Sequence, residues 1–206
     1  EHVETGNPDA ASRALLDYMR SRRTVKYLVN HWDRPPVKPG YDTSRADDIL
    51  NGVPHGMLVD WYPRFRFEGP IQWDASPFND REWHWGLNRH DQWDILSQAY
   101  WGTGDEKYTR RFVEELTDWV TSRPVVTDGK HNSSASWRTI EAGIRMSTSW
   151  PAAWQRFIVS PNFTPEANLL YLMSLVDHAR HLEKNPTGGN WLTMEMNGLL
   201  HVAVLF

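Results

Sequence analysis

Cysteine is absent from the 206 residues of this sequence. Its absence excludes disulfide bonds, thiolate metal sites and cysteine nucleophiles, and is compatible with either a reducing or an oxidising compartment. Long apolar runs are also missing, since no stretch approaches the roughly 18 apolar residues of a membrane span. The first residues, Glu1 to Glu4, lack the basic and apolar regions of a signal peptide, so we expect an exported protein to have lost its signal.

An excess of positive charge is missing as well. The chain has 22 Lys and Arg against 26 Asp and Glu, a formal charge of −4. Proteins that bind nucleic acid are typically basic, because contacts with phosphate dominate their affinity. We therefore expect neither nucleic acid nor a membrane as a partner. With 40% hydrophobic and 23% charged residues, the composition is typical of a globular protein that forms one domain or part of a larger one.

Several well-known activity motifs are absent: the sequence has no nucleotide-binding glycine loop, no Gly-x-Ser-x-Gly and no His-Glu-x-x-His. His178 and His181 are three residues apart, a spacing at which two imidazoles can bind zinc on one helix face. In the latter part of a helix, such histidines more often face water near the negative helix end. The sequence therefore predicts no metal site and no cofactor.

Tryptophan, by contrast, is abundant, with 12 residues against 7 Tyr and 7 Phe. Its large ring serves either as core or as a platform for a flat ligand such as a sugar. Trp137 and Trp191 each adjoin a polar residue at a predicted helix start, which favours sugar platforms. Trp61 and Trp73 lie in a long loop that we expect them to pin. The predicted core residues, all on apolar helix faces, are Trp93, Trp101, Trp119, Trp150 and Trp154.

Apolar spacing predicts a largely helical chain. We expect a first helix over residues 9–30, with a break near Ser21, and further helices from Asp80 to the end. The segment 31–80 has no helical period and is rich in Pro, Gly and aromatic residues. Such a length predicts an irregular region packed by its own rings. Within it, residues 64–67 alternate like a short strand.

Proline and apolar residues indicate where the later helices begin and end. Thr164 and Pro165 have the pattern of a helix cap followed by Pro at the first helical position, and Pro151 indicates a kink or a fresh start. Another helix is expected over 87–101. The final helix ends in residues 199–206, which are almost all apolar, and such a helix belongs inside a larger structure. We therefore expect the 206 residues to be the N-terminal part of a longer chain.

Three polar clusters, at 87–93, 136–141 and 188–197, each lie at a predicted helix start and combine charged residues with Trp. Helix N-termini carry unpaired N–H groups and a positive dipole end, so three that converge form a polar, anion-tolerant site. A structural role is the alternative, because charges one turn apart form helix pairs and Asn is a common cap. The candidate site residues are Arg89, His90, Trp137, Arg138, Glu141, Asn190, Trp191 and Glu195.

Glu195 lies on a helix whose other residues are mostly apolar. A carboxylate is almost never buried without a partner. We therefore expect Glu195 to pair with Arg138, Arg89 or His90.

The ordered series of motifs from about residue 65 to 206 resembles the N-terminal helical domain of the heparinase II/III group of polysaccharide lyases, most closely the heparinase III type. The motifs that carry this resemblance are Leu87-Asn88-Arg89-His90, Ala99-Tyr100 with Thr103-Gly104-Asp105-Glu106-Lys107-Tyr108, Asp118-Trp119, Trp137-Arg138-x-Ile140-Glu141-x-Gly143-Ile144-Arg145 and Gly189-Asn190-Trp191-x-x-x-Glu195.

The resemblance implies an all-α fold, in which residues 1–206 form the N-terminal part of an incomplete (α/α) toroid of paired helices. In full-length members, β-sandwich domains follow, and they are absent from this chain; we expect residues 1–206 to pack on such C-terminal domains of the same polypeptide. Family members that degrade glycans are bacterial and exported. The expected location is therefore the periplasm or the medium.

The resemblance also implies a reaction, the eliminative cleavage of glucosaminyl-uronate linkages in heparan sulfate. Asn190 matches the family's Asn that neutralises the uronate carboxylate; related alginate lyases have Asn-His where this chain has Asn190-Trp191, which leaves the role of the second residue open. The family's catalytic Tyr and His lie beyond Phe206, so we expect the chain alone to be inactive. The expected contacts with this acidic polysaccharide are made by Arg89, His90, Trp137, Arg138, Glu141, Trp191 and Glu195.

Three alternatives remain at this stage. The first is a lyase for alginate or another polyuronate, and the second is a non-catalytic glycan-binding helical domain. The third is an inverting hydrolase, which needs two carboxylates about 6.5 to 9.5 Å apart across a cleft. Glu141 and Glu195 are the only pair that the sequence offers for it.

Overall fold

The computed structural model describes residues 6–23 and 26–205, and these residues are helical without a strand. The α-helices in this part of the chain are α1 Pro8–Ser21, α2 Ser44–Leu50, α3 Arg81–Leu87, α4 Asp91–Thr103, α5 Lys107–Ser122, α6 Thr139–Ser147, α7 Ser149–Phe157, α8 Pro165–Lys184 and α9 Gly189–Leu205. Short 3-10 helices are formed by His31–Asp33, Val59–Trp61 and His131–Ser133. The all-α fold class is thus confirmed.

The longer helices form two layers. Helix α4 packs on α7 and α6 packs on α9, which gives one layer. Helices α5 and α8 pack on each other behind this layer, α5 against α4 and α8 against both α6 and α9. This is the pairing of inner and outer helices that the toroid prediction requires.

Two glycines let α6 and α9 cross with their backbones in contact. A Cβ atom on Gly143 would lie 2.5 Å from the carbonyl oxygen of Met194, and one on Gly198 would lie 2.5 Å from the carbonyl oxygen of Gly143. Both positions are buried, so no side chain fits between the helices. The crossing fixes α9 against α6 and brings their first turns to the same end of the layer.

Helix boundaries follow local signals more closely than apolar spacing. Thr164 Oγ1 accepts a hydrogen bond from the Ala167 N–H, with Pro165 at the first helical position, as predicted. The first helix ends at Ser21, where only a break was expected. The helix predicted over 87–101 starts only at Asp91. His90 has left-handed backbone angles (φ 58°), which prevent one continuous helix from α3 into α4.

The segment 31–80 contains α2 and two 3-10 turns and is otherwise irregular. The prediction of a strand at 64–67 is wrong, because these residues form no regular structure; the rings of Phe65 and Phe67 pack against Trp83, with centroid distances of 5.6 and 6.3 Å. Trp73 does pin this segment, because its indole N–H donates to Asp118 at 2.7 Å. Trp61 does not, since it is 70% exposed.

Tryptophan dominates the core between the layers. Trp93, Trp119 and Trp150 are fully buried and Trp154 is 3% exposed, so these core predictions are confirmed. Trp101 is only partly buried and donates its indole N–H to the carbonyl of Arg156. In the part of the chain that the structure describes, no helix is long and apolar enough to cross a membrane.

Candidate functional site

One guanidinium joins three helices at the end of the layer where α6 and α9 begin. Arg138, the residue before α6, has its Cζ atom 3.6 Å from the ring centroid of Trp85 on α3 and 4.4 Å from that of Trp191 on α9. Cation–π contacts of this kind hold a charged group against an aromatic face. The second and third predicted clusters therefore meet at Arg138.

Glu141, one turn into α6, connects the first cluster to the same site. Its Oε1 lies 3.1 Å from an Nη atom of Arg89, and its Oε2 lies 3.5 Å from Nε of Arg138. Glu141 is fully buried, while the side chains of Arg89 and Arg138 are 15% and 12% exposed. Two guanidinium groups thus share one carboxylate, which leaves the cluster with a net positive charge.

The donors of Arg138 are largely unused. A guanidinium has five N–H donors. Within residues 6–23 and 26–205, the Arg138 side chain makes its ion pair with Glu141 and donates no hydrogen bond. The buried Nε of Arg89 is also without a hydrogen-bond partner among these residues. The cluster can therefore offer N–H groups to an external carboxylate or sulfate, the groups that a planar guanidinium binds in pairs.

Asn190 lies beside this cluster, in the first turn of α9 and next to Trp191. Its side chain is exposed and forms no hydrogen bond with the described residues. The first turn of a helix also presents unpaired backbone N–H groups and the positive end of the helix dipole. The amide is thus free to donate to an anion at the end of the layer where Arg138 lies.

Glu195 has a different partner from the one predicted. Its carboxylate is fully buried and accepts two hydrogen bonds from Thr187, from the backbone N–H at 2.9 Å and from the hydroxyl at 2.8 Å. The expected pairing with an arginine or histidine is wrong. Glu195 instead closes the turn before α9, and so it fixes the backbone that carries Asn190.

His90 is not at the surface, and the prediction that it contacts substrate is wrong. It is fully buried, stacked on Trp93 with ring centroids 4.2 Å apart, and its Nδ1 accepts the indole N–H of Trp150 at 2.9 Å. Burial, with the nearby charge of Arg145, holds the pKa of His90 well below its usual range. A neutral imidazole that fills the core cannot bind an external anion.

Trp137 is likewise buried, at 3% exposure, and does not form a sugar platform. Its indole N–H donates to the carbonyl of Arg123 at 2.8 Å, and its ring faces His178. His178 and His181 are themselves buried, which corrects the expectation that they face water. Among the described residues, no group of three His, Asp or Glu side chains has an arrangement that could hold a metal ion.

A second arginine of α6 occupies the core. Arg145 is fully buried, donates from Nε to His178 at 2.7 Å, and lies over the rings of Trp119 and Trp137 at 4.6 and 5.2 Å. Burial lowers the pKa of Arg145 to about 9, against which the charge of Glu141 acts. Its hydrogen bonds to His178 and to the carbonyl of Asn88 connect α6 to α8 and to the turn after α3.

A cleft of about 530 Å³ lies next to the cluster, between α4, α7 and the segment 27–29. Ser149 on its wall donates a hydrogen bond to the carbonyl of Arg89 at 2.7 Å. The cations of this cleft form ion pairs with carboxylates of the same cleft, Arg45 with Asp60 and Arg156 with Asp94. With Asp91 the cleft has more carboxylates than arginines, whereas in the cluster two arginines share one carboxylate.

Trp85 is the member of the cluster that sequence reasoning missed. It belongs to none of the three polar segments, because it lies inside α3 rather than at a helix start. Helical spacing gives no signal for it, because Arg89, four residues later, lies beyond the end of α3. Four of the predicted residues, Arg89, Arg138, Glu141 and Trp191, do come together, and Trp85 joins them through its contact with Arg138.

Comparisons with known proteins agree with this architecture. A curated heparin-sulfate lyase of Bacteroides stercoris is 30% identical, with the match covering 100% of this chain and 33% of the relative. One of Pedobacter heparinus is 29% identical over 99% of this chain and 31% of its own length. The chain thus spans about a third of the length of the curated relatives it matches.

Solved structures give the same result. A heparinase III with methylated lysines matches with a TM-score of 0.85 and 28% identity, covering 100% of this chain and 34% of that one. A heparan sulfate lyase from Pedobacter heparinus matches with a TM-score of 0.77 and 28% identity over 94% of this chain and 31% of its own. The model of the family described as Heparinase II/III N-terminus matches residues 1–206. Because the match extends over the whole sequence, this chain belongs to the Heparinase II/III N-terminus family.

Proposed function

We propose that this chain forms the heparan-sulfate-binding helical part of a polysaccharide lyase. Its relatives are named heparin-sulfate lyases. The single observation that carries the proposal is Arg138, whose guanidinium lies against two indole rings and donates no hydrogen bond within the described chain. An arginine arranged in this way suits the carboxylate and sulfate groups of an acidic polysaccharide.

The reaction is β-elimination at a glucosaminyl-uronate linkage. A base removes the C5 proton of the uronate, the bond between C4 and the glycosidic oxygen breaks, and a C4–C5 double bond forms. The C5 proton is not acidic enough while the adjacent carboxylate carries a full negative charge. A hydrogen-bond donor aimed at that carboxylate stabilises the dianionic enolate that develops.

Asn190 is the proposed donor. Its exposed amide, in the first turn of α9, neutralises the uronate carboxylate with an N–H group. Arg138 and Arg89 bind the anionic groups of neighbouring sugars, and the face of Trp191 turned away from Arg138 provides a surface for a sugar ring. Glu195 and Glu141 act indirectly, by fixing the turn before Asn190 and the two guanidinium groups.

The base and the group that protonates the leaving oxygen are proposed to be a Tyr and a His outside residues 1–206. The chain by itself then binds the polysaccharide without cleaving it, and it packs on C-terminal domains of the same polypeptide. The proposed location is the periplasm or the medium of a bacterium, because that is where an acidic polysaccharide of another organism is met.

The test uses the full-length protein with heparan sulfate, alginate and chondroitin sulfate, and follows the ultraviolet absorbance of the unsaturated uronate. The expected result is product from heparan sulfate, and a loss of turnover of roughly 10²-fold or more in Asn190→Ala with a smaller loss of binding. Product from alginate alone would identify a different polyuronate lyase. Binding without product from any substrate would identify a glycan-binding protein.

An Asn190→Ala variant with activity within a few-fold of wild type would remove Asn190 from the mechanism. Thr193→Ala is a suitable control, since Thr193 is exposed on the same helix, one turn further along. Its turnover is expected to match that of the wild-type protein.

A further inference from the structure

Trp85 is the nearer of the two indole rings that lie against the Arg138 guanidinium. Its ring centroid is 3.6 Å from Cζ of Arg138, against 4.4 Å for Trp191. Trp85 is partly exposed on α3, so the contact forms where the cluster meets solvent. A guanidinium prefers this position over an indole face, because the ring quadrupole attracts the cation and the planar groups stack.

Two separate indole rings lie against the guanidinium of Arg138. Trp85 and Trp191 make no ring contact with each other among the described residues, although each lies against Arg138. The Nε edge points towards the buried carboxylate of Glu141. Neither terminal nitrogen of Arg138 donates a hydrogen bond within the described residues, so both remain for a ligand.

A held arginine binds an anion more tightly than a free one. A long side chain loses rotamer freedom when it is fixed by a ligand, and that loss subtracts from the affinity. Arg138 has already lost this freedom in the unliganded protein, because two rings and a carboxylate restrict it. The ring that makes the nearest contact contributes the most to this restriction.

We propose that Trp85 is a positioning residue for Arg138: it fixes the guanidinium so that its terminal edge binds a sulfate or carboxylate of the polysaccharide. The inference rests on the proposed function. Trp85 then raises the affinity through Arg138 and does not itself contact the glycan. Its effect must therefore disappear when Arg138 is absent.

The test is a double-mutant cycle in the full-length protein, with a heparan sulfate oligosaccharide of defined length and binding measured by calorimetry. Arg138→Gln is expected to weaken binding by roughly tenfold, and Trp85→Leu by about fivefold, the size of a cation–π contact at a partly exposed site. The double variant is expected to bind as Arg138→Gln does. Trp85→Phe restores most of the affinity, because a smaller aromatic face remains.

The matched control is Trp101→Leu, which removes an indole that lies 5.5 Å from the guanidinium of Arg156, outside the cluster. Its affinity for the oligosaccharide is expected to equal that of wild type. Melting temperatures of all variants report on folding. If Trp85→Leu does not fold, Trp85→Phe gives the same cycle at smaller amplitude, with a loss of about twofold that vanishes beside Arg138→Gln.

Losses that add in the double variant overturn the inference, because Trp85 would then act independently of Arg138. Full affinity in Trp85→Leu overturns it as well. In both cases the wild-type protein still binds, so the proposed function stands. Absence of binding by the wild-type protein overturns the proposed function and this inference with it.

Discussion

Two arginines, one just before α6 and one within it, lie against tryptophan rings and have different roles. Arg138 and Arg145 are seven residues apart, close to two helical turns. Both Cζ atoms lie within 5.2 Å of two indole centroids. Arg145 is fully buried and donates to His178 and to the carbonyl of Asn88, whereas the side chain of Arg138 is 12% exposed and donates to nothing described.

The difference shows that an aromatic cradle does not by itself identify a binding residue. Indole faces stabilise a guanidinium in either place. What separates the two is the use of the N–H donors: those of Arg145 connect α6 to α8 and to the turn after α3, while those of Arg138 remain available. Burial of the donors makes Arg145 structural, and their partial exposure makes Arg138 able to bind.

The largest expected effect that distinguishes the two arginines is on stability. Arg145→Met leaves His178 and the carbonyl of Asn88 without a donor, and we expect a loss of about 3–5 kcal/mol in the free energy of unfolding. Arg138→Met is expected to cost about 1 kcal/mol or less, the value of a partly exposed cation. Urea denaturation measures both. An equal or larger loss in Arg138→Met would contradict the distinction.

Glu141 forms ion pairs with Arg89 and Arg138, and its charge also acts on Arg145. Glu141→Gln keeps the shape of the side chain but leaves Arg89 and Arg138 without their carboxylate and removes the charge that supports Arg145. We expect a loss of about 3 kcal/mol, since one partner of a buried ion pair is removed. Urea denaturation again provides the measurement, and a stability equal to wild type would show that the carboxylate charge is dispensable.

Gly143 tests whether the crossing of α6 and α9 places Trp191 on Arg138. In Gly143→Ala the new Cβ would lie 2.5 Å from the Met194 carbonyl oxygen, so the helices must separate. The expected cost is about 1–3 kcal/mol in thermal or urea unfolding, together with weaker polysaccharide binding.

The matched control for this prediction is Gly188→Ala. A Cβ at Gly188 meets no atom within 4 Å, and its backbone angles are not left-handed. Its stability is expected to stay within about 0.5 kcal/mol of wild type. Equal effects of the two substitutions on stability and binding would show that the close crossing of α6 and α9 is not required for either.

A dependence of stability on pH is expected from the buried histidines in the core around Arg145. Burial lowers the pKa of His181 to about 4, and burial holds those of His90 and His178 well below the usual range. In the unfolded chain these groups titrate near 6.5, at about the usual histidine pKa. The unfolded state therefore binds protons first as the pH falls, and stability present above about pH 6.5 is lost towards pH 4.

Melting temperatures between pH 7.5 and 5, a window above the usual pKa of carboxylates, provide the measurement for this prediction. The melting temperature is expected to fall on the acid side. A melting temperature that stays constant or rises over this range would mean that the buried histidines carry their protons in the folded protein.

Local signals predicted much of the fold. The cap at Thr164 and the fresh start near Pro151 are set by neighbours in sequence, and both were predicted. The partner of Glu195 was also local, since Thr187 lies eight residues earlier, but a charged partner was sought at long range. The sequence signal is Thr187 followed by Gly188 and Gly189, which indicates a turn. A carboxylate in the following helix can accept hydrogen bonds from that threonine.

Which side of a helix faces the core could not be predicted for single residues. Trp137 and Trp191 both adjoin a polar residue at a helix start, yet one is 3% exposed and the other lies at the surface of the cluster. The difference arises because His178 and His181 of α8 cover Trp137, whereas Arg138 covers only one face of Trp191. That packing depends on the whole arrangement of helices.

In the proposed function, Arg138 binds the anionic groups of the polysaccharide while Arg145 supports the core. The most direct test compares the salt dependence of heparan sulfate binding by wild type and Arg138→Gln in the full-length protein. We expect weaker binding and a shallower fall of affinity with salt in the variant, because one ionic contact is lost. Equal affinity and an equal salt dependence in the two proteins would contradict it.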